Sequence, residues 1–118
     1  MLRAILPEDR IHPSIRQKIA ENHRGIIAEV EEAIEKHPLV VVGMAQNPFV
    51  KKARRALDGA KMSYHYLEYG SYLSEWRRRN ALKMYTGWPT FPMVFYHGTL
   101  IGGSEELIGA IESGEIER

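Results

Sequence analysis

Two short stretches of this chain have residue types and spacing suited to holding a ligand. Asn47-Pro48-Phe49-Val50 follows the apolar run Leu39-Val40-Val41-Val42. Asparagine is a good helix N-cap and proline suits the first helical position, so a strand hands over to a helix at Asn47. Free backbone N–H groups at such a start attract anions and lower the pKa of a thiol placed there. Asn47 itself brings a carboxamide, which is neither a nucleophile nor a useful base. Its chemistry is hydrogen bonding, either to its own helix as a cap or to something bound over the helix end. The second stretch, Gly102-Gly103-Ser104-Glu105, joins paired glycines to another helix start. Glycines permit close backbone approach, and first-turn N–H groups can cradle a carboxylate or phosphate. The same residues also suit a plain strand-to-helix turn, with Ser104 as cap and Glu105 and Glu106 favouring the dipole.

Other candidate chemistry is thin. The chain has no cysteine, which excludes disulfides, thiolate metal sites and every cysteine-nucleophile mechanism. The five histidines, His12, His23, His37, His65 and His97, show no metal-ligand spacing. Arg77-Arg78-Arg79 reads as a largely solvated face. Trp76, Tyr64, Tyr66, Tyr69 and Tyr72 would cover a sheet or a partner face.

The elements that must position these residues follow from periodicity and breakers. Pro7 and Pro13 keep residues 1–13 irregular. Ser14 could cap a helix running to about Lys36, with Ile15, Ile19, Ile26, Val30, Ala33 and Ile34 as its apolar stripe. Gly25 marks a break in it. Leu39–Gly43 suits a strand covered on both faces. A helix over Phe49–Asp58 stops at Gly59, and residues 63–67 favour a strand. A third helix opens at Ser71 or Tyr72 and ends at Gly87. Pro92–Tyr96 and Thr99–Ile101 form a hairpin around His97-Gly98, and a last helix covers Ser104–Glu112. The order α-β-α-β-α-β-β-α predicts an α/β fold, a mixed sheet with helices on both faces.

A chain of 118 residues, 44% hydrophobic and 26% charged, has the composition of a single soluble globular domain. A net charge of +1 gives no case for nucleic acid as partner. No apolar stretch approaches the ~18 residues of a membrane span, and the first ten residues are too weakly apolar for a signal peptide. The chain reads as cytosolic, with no membrane partner.

Together with Trp88-Pro89-Thr90-Phe91-Pro92, the two stretches make the chain resemble the glutaredoxins, thiol–disulfide proteins of the thioredoxin fold. The likeness covers about residues 26–118, the glutaredoxin-like domain, and leaves residues 1–25 as an N-terminal extension and the start of the leading helix. It implies a four-stranded mixed sheet flanked by helices. It is closest to the monothiol class, through Glu35-Lys36-His37-Pro38, Trp88–Pro92 and Leu100-Ile101-Gly102-Gly103. Pro48-Phe49 looks more like the dithiol type, and Met44 stands where the monothiol class has a lysine. Asn47 falls at the nucleophile position and Val50 at the resolving position, so no catalytic residue is expected.

The resemblance also implies a glutathione site. Pro92 would be cis and face the helix of Asn47. Thr90 and Phe91 would offer backbone to the cysteinyl unit of glutathione or to an extended peptide. Gly103, Ser104 and Glu105 would hold the γ-glutamyl end, and Arg79 would meet the glycine carboxylate. The family has cysteine-aspartate where this chain has Ser104-Glu105. No iron–sulfur cluster is expected through the chain's own side chains, and no other metal. The function implied is a glutathione- or peptide-binding adaptor or regulator in the redox or iron–sulfur context, without thiol–disulfide oxidoreductase activity; a homodimer is an allowed assembly. Two alternatives stand beside it. One is a transferase-like enzyme that uses the thiol of bound glutathione. The other is a purely structural interaction module.

Overall fold

In the computed structural model, which describes residues 2–117, β1 (Leu39–Gly43) is buried at every position. A valine-rich run can only be so if both faces of its sheet are covered. Val40 and Val42 pack with Ile26 and Val30 of α2 (Arg24–Lys36) and with Ala81 and Leu82 of α4 (Trp76–Thr86). Leu39 and Val41 pack on the other side, with Ala53 and Leu57 of α3 (Pro48–Gly59) and Leu107 and Ala110 of α5 (Ser104–Glu112). The period-two alternation of the strand thus feeds two cores, one per face.

Three further strands complete the sheet: β2 (His65–Glu68), β3 (Met93–Tyr96) and β4 (Thr99–Gly102), in the order β2-β1-β3-β4. β2 runs parallel to β1, while β3 is antiparallel to β1 and β4 to β3. The β3–β4 hairpin turns through His97 and Gly98, both left-handed, as a tight hairpin requires. This is the expected thioredoxin-like fold. The register decides where the ligand-binding candidates go. Val42, near the end of β1, pairs with Met93 at the start of β3, and Gly102 pairs with Val94. Asn47, Pro92 and Gly103 therefore leave the sheet at the same end.

Two helices differ from expectation. The leading helix is split into α1 (Pro13–Glu21) and α2 by a break near Gly25, which falls at Asn22–His23. His23 takes a left-handed conformation there, and Gly25 lies within α2. The cap of α1 is His12, whose Nδ1 accepts the Ser14 N–H at 3.1 Å, with Pro13 in the first turn. α1 buries no residue, whereas α2 buries Ile26, Val30 and Ala33. The third helix opens at Trp76, not at Ser71 or Tyr72. Serine side chains hold residues 71–74 in a turn instead: Ser74 Oγ accepts the Ser71 N–H and Ser71 Oγ the Leu73 N–H. Such local bonds compete with helix for the same backbone groups. The other ends fall within two residues of those expected.

Candidate functional site

Asn47 is a cap, and a complete one. Its Oδ1 accepts the N–H of Phe49 at 2.9 Å and of Val50 at 3.1 Å. Its carbonyl accepts the Lys51 N–H at 3.1 Å. Pro48 has no N–H to offer. Every donor in the first turn of α3 is thus absent or occupied. Asn47 is buried at 7% exposure and does not line the nearby groove. A thiolate placed here would need those same amides, and they are already committed to the side chain that stands in its place.

The start of α5 is different. Gly103, with extended backbone, precedes the helix, and Ser104 is its first residue rather than its cap. The Gly103 N–H donates to Glu106 Oε1 at 2.8 Å. The N–H groups of Ser104, Glu105 and Glu106 find no acceptor among the described residues. With the positive end of the helix dipole behind them, they can hold an anion.

Between these two helix ends lies a groove of about 210 Å³. Thr90, Phe91 and Pro92 form one wall, and Gly103, Ser104 and Glu105 the other. The Phe91–Pro92 peptide is cis. Neither Thr90 nor Phe91 makes a backbone hydrogen bond among the described residues, so this edge is free to pair with an extended ligand. Six of the sequence-derived residues are thereby brought together.

Arg79 is not among them. It is 6% exposed, and its Nη1 donates to the carbonyls of Tyr69, at 2.8 Å, and Ser74. Its neighbours behave as a solvated face should: Arg78 pairs with Glu75 and Glu29, and Arg77 lies over the Trp76 ring. Arg79 instead braces the loop between β2 and α4. That loop is tied in turn to the segment before Asn47, through Tyr69 N–H to Gly43 O and Ala45 N–H to Gly70 O.

The groove also holds three residues that sequence reasoning did not place there: Phe49, Trp88 and Glu106. The fully legible signal was the Glu106 position, three residues after Gly103, where a carboxylate reaches back to a helix start. Phe49 is 57% exposed, beside the groove mouth. Among the described residues no His, Asp or Glu cluster could hold a metal, and no helix is long and apolar enough to cross a membrane.

A family model for glutaredoxin matches residues 39–101, from the first strand to Ile101, just short of the glycine pair. The chain belongs to the glutaredoxin family. It is 46% identical over 103 residues to a glutaredoxin-like protein of Dictyostelium discoideum, covering 87% of this chain and 84% of that one. It is 31% identical over 123 residues to monothiol glutaredoxin-S17 of Arabidopsis thaliana, of which it spans 25%. The buckwheat glutaredoxin–glutathione complex superposes with a TM-score of 0.69 at 22% identity, covering 80% of this chain and 86% of that one. Oxidized glutaredoxin 2 from Chlamydomonas reinhardtii gives 0.67 at 24%, covering 79% and 88%. At these identities the two structures establish the glutaredoxin fold alone.

Proposed function

We propose that this glutaredoxin binds glutathione, or an extended peptide, as an adaptor or regulator, and performs no thiol–disulfide exchange through its own side chains. The contrast between two helix ends carries the reading. At α3, where a glutaredoxin would activate its thiol, the amides are consumed by Asn47. At α5, beside the free backbone of Thr90 and Phe91, they are unoccupied. The reactive half of the site is closed and the binding half is open.

In this reading the cysteinyl unit of glutathione pairs with the backbone of Thr90 and Phe91 against Pro92. The γ-glutamyl carboxylate rests on the first-turn amides of α5 at Ser104 and Glu105. Binding of glutathione by the buckwheat protein supports the choice of ligand. Arg79 enters as a brace of the β2–α4 loop rather than as a direct contact. A [2Fe–2S] cluster finds no thiolate in a chain without cysteine, and the Asn47 amide is turned into its helix. The transferase-like alternative asks the α3 start to stabilise a bound thiolate, and its N–H groups are already spent.

The test is a glutathione titration of the labelled protein followed by amide NMR. Shifts at Phe91, Gly103 and Ser104, with saturation at millimolar ligand, are expected. Unmoved spectra, together with no heat in isothermal titration, would leave only an interaction module. Pure protein is expected to show no turnover in the hydroxyethyl-disulfide assay.

A further inference from the structure

Among the described residues, the indole Nε1 of Trp88 is the one buried side-chain nitrogen or oxygen without a hydrogen-bond partner. A buried donor left unpaired gives up its bonds to water and gains none in return, so native proteins rarely keep one without a use. This donor lies in the groove wall. A Cβ on Gly103 would stand 3.6 Å from Nε1, and 3.5 Å from both the Pro92 carbonyl oxygen and Glu106 Oε1. The indole N–H thus lies close to the start of α5. Neither neighbouring acceptor bonds it, and Glu106 Oε1 is already taken by the Gly103 N–H.

We propose that Trp88 is a ligand-binding residue whose indole N–H donates to the α-carboxylate of a γ-glutamyl ligand lying over Gly103 and the first turn of α5. The inference rests on the glutathione reading and extends it to a donor that reading does not use. In the free protein the Glu106 side chain folds back over the glycine pair, its Cγ 2.7 Å from where a Cβ on Gly102 would stand. An incoming carboxylate repels it at short range. Glu106 swings outward, its bond to Gly103 is released, and the indole is uncovered in the same movement. Besides the Ser104 and Glu105 amides, the ligand carboxylate then receives the indole N–H and the Gly103 N–H, as charge-assisted bonds of the stronger kind. A ligand without that carboxylate neither displaces Glu106 nor reaches Trp88.

The chain has two tryptophans, so its indole N–H region holds two signals, and Trp76 is well exposed. The full chain, labelled with nitrogen-15, is titrated with reduced glutathione and with γ-aminobutyryl-cysteinylglycine, which lacks the γ-glutamyl carboxylate. The variant W88F assigns the signals. Glutathione is expected to move the Trp88 indole proton downfield and leave Trp76 in place, while the decarboxylated analogue moves neither. W88F should bind glutathione about tenfold more weakly, the loss of one hydrogen bond to a charged group, and keep its melting temperature. Amide shifts at Gly103 and Ser104 with a stationary Trp88 indole would overturn this inference and leave the glutathione reading intact. No shift at any amide or indole would overturn both.

Discussion

The Oδ1 of Asn47 accepts the N–H of Val50 at 3.1 Å. By family resemblance these two residues occupy the nucleophilic and resolving cysteine positions of a dithiol glutaredoxin. Here they are joined instead as cap and capped amide. A pair of positions that resembles a redox couple has become a structural bond at the start of α3.

It follows that Asn47 should behave as a cap under mutation. Asn47→Ala is expected to cost about 1–2 kcal/mol in urea unfolding, since it strands the Phe49 and Val50 amides. Asn47→Asp should be close to wild type, because a carboxylate accepts the same bonds and suits the dipole. Glutathione affinity should change little in either variant, as Asn47 does not line the groove. An Asn47→Ala protein of unchanged stability would refute the cap as the reason for this residue.

The paired glycines should separate stability from binding. Gly102 has a φ of +122°, and a Cβ there would sit 2.7 Å from Glu106 Cγ. Gly102→Ala is expected to lose about 1–3 kcal/mol in the same experiment. Gly103 has extended backbone that any residue can adopt, and a Cβ would meet its neighbours at ordinary contact distance. Gly103→Ala should therefore fold normally yet bind glutathione several-fold more weakly by calorimetry, because the added methyl fills the groove floor. Equal affinity for Gly103→Ala and wild type would place the ligand elsewhere.

Much of this was readable before the structure because it depends on local rules. A strand buried on both faces, Asn-Pro at a helix start and Gly-Gly before another need only their neighbours in sequence. The errors came where side chains chose among partners. Ser71 and Ser74 turned to their own backbone and delayed α4 to Trp76. Arg79 turned inward to the Tyr69 and Ser74 carbonyls, where its place in a run of three arginines suggested a solvated face and the family resemblance a contact with the glycine carboxylate. Trp88 was visible as part of a motif, but its unpaired indole is a fact of three-dimensional packing.

Arg79 should accordingly act on the loop. Arg79→Ala leaves two carbonyls without their donor and should cost about 1–3 kcal/mol. Amide hydrogen exchange is expected to rise over residues 69–75, the loop it holds. Glutathione affinity should fall by less than the stability loss converts to, since the guanidinium is outside the groove. An affinity collapse with unchanged exchange in the loop would instead return Arg79 to direct ligand contact.

Tyr66 gives the chain a predictable response to alkali. Partial burial pushes its phenol up from the usual value near 10 to about 12, aided by its hydrogen bond to Glu68 Oε1 at 3.0 Å. The Arg54 guanidinium, 3.9 Å above the ring, opposes that rise. A raised acid pKa means that the folded state holds the proton more tightly than the unfolded chain does. The stability this contributes is complete below about pH 10 and is lost as pH climbs from 10 through 12. Absorbance at the phenolate band should show a tyrosine titrating near 12 that disappears in Tyr66→Phe. That variant should also unfold less steeply between pH 10 and 12 than wild type does. A wild-type titration with every phenol near 10 would remove the basis for this, and would mean that Tyr66 is freely hydrated in solution.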